Sequence, residues 1–200
     1  MIDENTRKKS KKLNQIVETS EYLFKRFGIK RVTVEEICRK ANVSKMTFYK
    51  YFPNKIELVK HLFNNWFDEG YSKLAKINAM NVSIAEKLRL MIEWKMGFLS
   101  EMSPEFIEEF VHVDSELMGF MQEYMQRSYK RFMEYFIGWQ KNGDIRPGIR
   151  PELFIAVLDK LQELFGDDNL RKHYHDHIEF AHELHKLFFY GIVSRPDSEK

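Results

Sequence analysis

Six neighbouring side chains between residues 44 and 50 have the types and spacing needed to contact DNA. They are Ser44, Lys45, Met46, Thr47, Tyr49 and Lys50. Lys45 can donate to the acceptors of guanine, and Thr47 can contact a base edge or the methyl group of thymine. These are groups that proteins use in the major groove, so the segment predicts a surface that reads bases in double-stranded DNA.

Other side chains in the same part of the chain suit the DNA backbone. Tyr49 and Lys55 are expected at phosphates, and Thr33 precedes the positive end of a helix dipole, where anions bind. Lys9 and Lys12 lie in a lysine-rich start that could follow the backbone or enter an adjacent minor groove. A simple solvated basic arm would have the same composition, so these lysines alone do not decide the function.

The charge distribution agrees with one DNA-facing end. The formal net charge of the 200 residues is only +2, but residues 1–60 hold 15 Lys and Arg against 7 Asp and Glu. The remaining residues hold 17 basic against 23 acidic side chains, so the first 60 residues carry +8 and the rest −6. Such a gradient is typical of a protein that meets phosphates with one part of its surface.

Short helices are needed to position these side chains. A stripe of apolar residues predicts a first helix from about Arg7 to Phe27 that stops at Gly28. Thr33 caps a second helix, with Glu36 completing a capping-box pattern. Asn42 tolerates the left-handed backbone of a turn, and Ser44 caps a third helix that ends near Phe52. Val43, Phe48 and Phe52 are predicted to face inward, which leaves the polar side of the third helix outside.

The rest of the chain also predicts helices. A fourth helix should run from Pro53–Asn54 to about residue 78, followed by helices at about 83–101, 104–110 and 114–142. Residues 142–148 form the clearest loop, Pro151 restarts a helix that ends near Gly166, and a last helix covers about 173–191. The expected fold is all-α with about nine helices: a helix-turn-helix domain at 1–60, a larger ligand-binding and dimerisation domain at 61–194, and a polar tail at 195–200.

The run from Thr33 to Leu58 resembles the DNA-binding signature of TetR-family transcriptional regulators. Its sequence is TVEEICRKANVSKMTFYKYFPNKIEL. The resemblance covers about 60 residues well, and the loop at 143–151 is similar to that family's link into its dimerisation helices. Three positions depart from the usual pattern: Cys38, Asn42 and Met46. The bulk of Met46 would either contact a thymine methyl or move the helix outward.

The resemblance implies a homodimer with two recognition helices spaced for a palindromic operator, a repressor function, and a small-molecule effector bound in the middle of the chain. The last two helices would form the dimer interface through Phe154, Val157, Leu158, Leu161, Leu184 and Phe188. Their apolar stripes are compatible with this four-helix interface, although a monomer core would use similar stripes.

The central helices are rich in aromatic residues and methionines, which suit a pocket for apolar ligands. We select Trp94, Phe98, Met121 and Met125 as candidate ligand-binding residues. An ordinary hydrophobic core would use the same residue types, so both interpretations stay open at this stage.

The sequence contains no pattern typical of an enzyme active site or of a metal site. No GxSxG, P-loop or GxGxxG pattern is present, so we expect neither an enzyme nor a cofactor. His173 and His177 share a helical face, and His175, His182 and His185 lie nearby, but the spacing matches no metal signature and surface histidines explain it better. The single cysteine, Cys38, excludes an internal disulfide and is expected to be buried.

No apolar run of about 18 residues is present, and the first residues are polar, so we expect a cytoplasmic protein that makes no contact with membranes. The competing interpretation is a helical module that binds a protein or sequesters a ligand and whose basic arm is merely solvated. Salt separates the two, because binding to phosphates weakens steeply as ions are added, whereas apolar binding does not.

Overall fold

The structure is a computed structural model that describes residues 4–111, 115–153, 156–157, 160, 164, 167–176, 179–180, 182–184 and 186–187. Within these residues the protein is all-α, without a β-strand. Eight helices are bounded there: α1 (Glu4–Phe27), α2 (Val34–Lys40), α3 (Lys45–Tyr51), α4 (Lys55–Asn78), α5 (Ile84–Ser100), α6 (Pro104–Val111), α7 (Ser115–Lys141) and α8 (Asp168–Arg171). Further helical residues occur at 151–153, 156–157, 160, 164, 179–180, 182–184 and 186–187.

Five of these helices begin at a side-chain cap. The capping residues are Thr33, Ser44, Asn54, Ser83 and Ser103. In each case the side-chain oxygen accepts the backbone N–H three residues later, at 2.9–3.2 Å. Such caps satisfy amides that have no partner inside the helix. The helix starts predicted at Thr33, Ser44 and Ser83 are therefore confirmed.

Backbone conformation ends α1 and shapes the turn between α2 and α3. Gly28 follows α1 with φ +78°, and its amide donates to Phe24 O at 2.9 Å. Asn42 has φ +53°, and the amide of Val43 donates to Cys38 O at 3.0 Å. Glycine adopts this left-handed region freely, and Asn adopts it at lower cost than most other residues. The predicted stop at Gly28 and turn at Asn42 are both confirmed.

The chain divides into two compact units. The first contains Met1–Tyr71 and Glu101–Gln122, and its core includes Phe24, Phe48, Phe63 and Phe106, each fully buried. In this unit Trp66 Nε1 donates to Glu21 at 2.9 Å, and the Lys25 ammonium lies 5.4 Å from the centre of the indole ring. The helix-turn-helix segment therefore shares a core with α6, a grouping that the sequence does not reveal.

The Lys25 ammonium also links α1 to the segment before α6. Its Nζ is 2.8 Å from both Glu21 and Glu101, and Lys25 O accepts the amide of Ser103 at 2.7 Å. Burial lowers the pKa of Lys25, but the hydrogen bonds to Glu101 and Glu21 outweigh it, so the pKa lies above its ordinary value. Lys25 therefore stays charged and holds these segments together.

The second unit contains Ser72–Ser100 and Glu123–Lys200. Ile84, Leu88, Phe136, Trp139 and Ile145 form its buried cluster. The end of α4 is anchored there: Trp139 Nε1 donates to Asn78 Oδ1 at 2.8 Å, and Lys87 Nζ donates to Asn78 O at 2.7 Å. These bonds tie α4 to α5 and α7 within this unit.

The structure corrects the prediction for the last helix. Residues 172–176 form turns and bends, and the described helical residues resume at Glu179. Asp176 Oδ1 accepts the Glu179 amide at 2.9 Å, and Glu179 Oε2 accepts the His175 amide at 2.8 Å. The predicted start at His173 is therefore wrong, because residues 172–176 are not helical and these two bonds hold the chain in a capped turn there. The short α8 before it was not predicted.

None of the helices in the described part of the chain is long and apolar enough to cross a membrane.

Candidate nucleic-acid interface

Helix α3 has one buried face and one exposed face. Phe48 is fully buried and Phe52 is 6% exposed, and their rings lie 5.9 Å apart. On the other side Met46 is 71% exposed and Tyr49 is 51% exposed. Because Phe48 and Phe52 anchor the inner face, the outer face has a defined orientation, as predicted from the sequence.

The polar residues predicted for base contacts lie on or beside this outer face. Ser44, Lys45 and Lys50 are exposed, and Thr47 is half-buried. The Ser44 hydroxyl is 2.9 Å from the Thr47 hydroxyl, besides accepting the Thr47 amide at 3.1 Å. The cap of α3 therefore engages two of the six predicted side chains in the free protein.

Lys45 forms an ion pair with Glu35 at the start of α2. The two side chains are 56% and 60% exposed. The hydrogen bond between them raises the pKa of Lys45 and lowers the pKa of Glu35. The lysine expected to read guanine therefore has an internal partner in the absence of DNA, and water can reach both groups.

The predicted backbone contacts have different surroundings. Thr33 is exposed at the N-cap of α2, and Lys12 is exposed on α1. Lys9 lies within α1, so the lysine-rich start is part of a helix and not a free arm.

Lys55, another predicted phosphate contact, faces the protein. Its Nζ donates to the carbonyl oxygens of Ile29, Lys30 and Val32 at 2.8, 3.3 and 2.9 Å. Burial lowers the pKa of Lys55, and the charge of Glu109 opposes that shift. An ammonium has three N–H groups, so these three acceptors match its full donor capacity.

The candidate ligand-binding residues are divided between the two units. Trp94 and Phe98 lie in the second unit, half-buried and stacked with ring centres 6.0 Å apart. Met125 belongs to the same unit and is 43% exposed, whereas Met121 lies in the first unit and is 9% exposed. The structure therefore brings Trp94 and Phe98 together, and their role in ligand binding stays a prediction.

Two of the six candidate dimerisation residues have described side chains. Val157 and Leu184 are helical and half-buried. Phe154, Leu158, Leu161 and Phe188 lie outside the described residues. In the same two segments Leu153 is 60% exposed and Leu187 is 76% exposed. These leucines leave apolar surface open to solvent in the chain by itself.

His173, which was predicted on a helix, lies in a turn. His173 and His175 are exposed in the turns before Glu179, and His182 is helical. His177 and His185 are outside the described residues. No group of three His, Cys, Asp or Glu side chains with metal-binding geometry occurs in the part that is described. Cys38 is a buried free thiol, as expected, and burial raises its pKa.

Two acidic residues at this interface were missed by the sequence analysis. Glu35 pairs with Lys45, and Glu109 accepts the amides of Ile29 and Lys30. Glu109 lies 80 residues from Ile29 along the chain, so no local pattern could reveal the contact. Glu35 follows the Thr33 cap, where an acidic residue is already explained by the helix dipole.

Comparison with known proteins agrees with this geometry. Residues 16–62 match the family model described as bacterial regulatory proteins, tetR family. The HTH-type transcriptional regulator YuxN of Bacillus subtilis is 34% identical over 62 residues, which are 31% of this chain and 21% of that protein. The chain thus spans about a fifth of the length of this curated relative.

Solved structures extend the likeness of fold to most of the chain. A regulator from Saccharomonospora viridis, solved in complex with choline, has a TM-score of 0.71 and 17% identity over 91% of this chain and 97% of that chain. FadR from Bacillus subtilis, solved with stearoyl-CoA, has a TM-score of 0.70 and 17% identity over 90% of this chain and 99% of that chain.

The capped pair α2–α3, with its exposed polar face, is a helix-turn-helix of the kind that bacterial regulatory proteins contain. Within that class, residues 16–62 match the tetR family of bacterial regulatory proteins.

Proposed function

We propose that the protein is a cytoplasmic repressor that binds a palindromic operator as a homodimer and leaves it when a small molecule binds. The observation that carries the proposal is the outer face of α3, where Lys45, Met46 and Tyr49 are exposed opposite the buried Phe48. A helix with this division can enter the major groove without losing its own core contacts.

Each side chain has a proposed role on DNA. Lys45, Met46, Thr47 and Tyr49 occupy one major groove, with Ser44 and Lys50 at its margin. Thr33, Lys9 and Lys12 lie against the phosphate backbone. The exposure of Ser44, Lys45 and Lys50 supports this assignment. To contact a base, Lys45 must break its ion pair with Glu35. Breaking an exposed ion pair costs little free energy.

The homodimer is proposed through the last two helices. The exposure of Leu153 and Leu187, at 60% and 76%, supports this arrangement. Leucines on two helices of one copy can pair with the same residues of a second copy across a two-fold axis. Two copies then present two α3 helices, and the operator has the matching symmetry.

The proposed effector is an apolar small molecule. The stacked pair Trp94 and Phe98 and the partly exposed Met125 support such a ligand. Similarly folded regulators were solved with choline and with stearoyl-CoA. Binding would favour a state in which α4 tilts and the two recognition helices change their separation, so that operator affinity falls.

Selection of tight-binding duplexes from a random DNA pool tests the DNA-reading function. We expect a palindrome whose binding weakens steeply with salt. Lys45→Ala should relax the preference at one base position, since Lys45 is proposed to read a base. Failure to enrich any sequence, or binding insensitive to salt, would instead favour a module that binds a protein or sequesters a ligand.

A further inference from the structure

The turn from Gly28 to Thr33, between α1 and α2, is held by a carboxylate from α6. Glu109 Oε2 accepts the amide of Ile29 at 2.5 Å and that of Lys30 at 3.0 Å, and Oε1 is 3.2 Å from the Lys30 amide. A charged acceptor makes stronger hydrogen bonds than a neutral one. Glu109 therefore ties the donors of this turn to a helix about 80 residues away in the chain.

Lys55, in the first turn of α4, holds the carbonyl groups of the same turn. Its ammonium donates to Ile29 O, Lys30 O and Val32 O. Since Lys55 is half-buried and uses its three N–H groups here, contact with a phosphate would require it to give up these bonds. The Glu109 carboxylate thus holds the N–H groups of the turn, and the Lys55 ammonium holds its carbonyl groups.

Gly28 makes the approach of Glu109 possible. A Cβ at this position would lie 2.9 Å from Glu109 Oε1 and 3.2 Å from its carboxyl carbon. The positive φ of Gly28 already disfavours other residues. Because Gly28 has no side chain, it can end α1 with a positive φ and leave room for the Glu109 carboxylate.

The turn leads directly into the helix-turn-helix. Thr33 closes it by capping α2. Helix α2 in turn supports α3, because Cys38 O accepts the amide of Val43 and because Ile37, Cys38 and Phe48 are buried in the same core. A shift of the turn would move α2, and with it the outer face of α3.

We propose that Glu109 and Lys55 are positioning residues for DNA reading: together they clamp the turn at 28–33 and so set the orientation of α2 and α3. The inference rests on the proposed DNA-binding function. It assigns Lys55 a different role from the phosphate contact expected from the sequence, and it gives α6 a direct hold on the DNA-binding helices.

The test compares Glu109→Ala and Glu109→Gln with the control Glu101→Gln. Glu101 also pairs across to α1, at 2.8 Å from Lys25, a residue that precedes the turn. Binding to the selected operator and to random duplex is measured over a range of salt, together with amide hydrogen exchange of the free proteins.

Glu109→Ala should weaken operator binding about tenfold, the order expected when a charge-assisted hydrogen bond is lost. Its affinity for random duplex and its salt slope should stay unchanged, because no phosphate-facing cation is removed. Glu109→Gln, which keeps one acceptor oxygen, should fall between. Exchange at Ile29 and Lys30 should accelerate most in Glu109→Ala, less in Glu109→Gln, and not at all in Glu101→Gln. A purely structural role would lower the unfolding temperature without changing the ratio of specific to random binding.

Lys55 is tested by the same titration. Lys55→Ala should weaken operator binding with an unchanged salt slope, and its effect should not add to that of Glu109→Ala, since both release one turn. A slope reduced by about one unit would instead assign Lys55 to a phosphate and overturn its positioning role.

The outcomes separate this inference from the proposed function. If the wild-type protein binds an operator and Glu109→Ala binds it equally well, the inference fails and the function stands. If the wild-type protein selects no DNA, the proposed function fails. Amide hydrogen exchange still tests the clamp in that case. Unchanged exchange rates at Ile29 and Lys30 in Glu109→Ala would overturn it.

Discussion

At the scale of single residues, the chemistry of the interface depends on which partner each charged group has before DNA arrives. Lys45 has Glu35, and Lys55 has three backbone carbonyls. The two lysines are therefore unequal, although both were predicted to contact DNA. Lys45 is exposed and exchanges partners cheaply, whereas Lys55 is enclosed by the turn that it holds.

Glu35→Gln should raise the affinity for random duplex DNA about two- to fivefold at low salt. The substitution removes a negative charge near the phosphates and frees Lys45 from its ion pair. Fluorescence anisotropy with a labelled duplex measures the change. The matched control is Glu86→Gln, which removes the same charge from an exposed pair with Arg89 in the second unit. If both variants raise the affinity for random duplex DNA equally, the cause is the change in net charge, and a local role for Glu35 is contradicted.

At the scale of elements, α3 has a buried face that contributes to stability and an exposed face that we propose reads DNA. The inner face holds the fully buried Phe48, and the outer face holds Met46, which is 71% exposed. Because the two side chains lie two residues apart on one short helix, substitutions at these positions affect different properties. We therefore expect substitutions on the exposed face to leave the fold intact.

Phe48→Ala should lower the free energy of unfolding by about 3–5 kcal/mol, because it leaves a cavity where a large aromatic ring was buried. Met46→Ala should change stability by less than about 0.5 kcal/mol but alter the base preference of the selected operator. Urea unfolding and repeat selection measure the two effects. An unchanged operator with Met46→Ala would remove Met46 from the set of base contacts.

Helix ends were predictable from the sequence because their signals are local. Thr33, Ser44 and Gly28 each act on a backbone within three or four residues, so composition and spacing suffice. The start of the last helix was misplaced because the histidine-rich stretch was interpreted as helical and the Asp176–Glu179 capping pattern was overlooked. Glu109 could not be placed, since its partners depend on how distant helices pack.

At the scale of the whole molecule, residues 1–60 carry a charge of +8 and the remainder carries −6. This distribution agrees with DNA binding by the first part and dimerisation by the second, as we propose. The basic part contains the helix-turn-helix, and the exposed leucines lie in the acidic part. A phosphate backbone attracts the first and repels the second, so the charge gradient would orient the protein as it approaches DNA. The sequence alone revealed this gradient because net charge needs no coordinates.

Leu187→Glu should convert the proposed dimer to monomer and reduce operator affinity at least tenfold, because a carboxylate would be buried in an apolar interface. Sedimentation velocity measures the association state. Lys186→Glu places a more drastic charge change on the adjacent exposed residue and should leave the dimer intact. A dimer that survives Leu187→Glu would place the interface elsewhere.

The surroundings of Trp66 give the protein an optical reporter of its own. The indole Nε1 is bonded to Glu21 and the ring faces the Lys25 ammonium, so fixed charges lie close to the chromophore. Charges at such distances shift the emission wavelength of an indole. A chain with Trp94 and Trp139 replaced by Phe would emit from Trp66 alone, since the sequence has three tryptophans. Its fluorescence would then follow the packing of α1 on α4 during titration with DNA, without any attached dye.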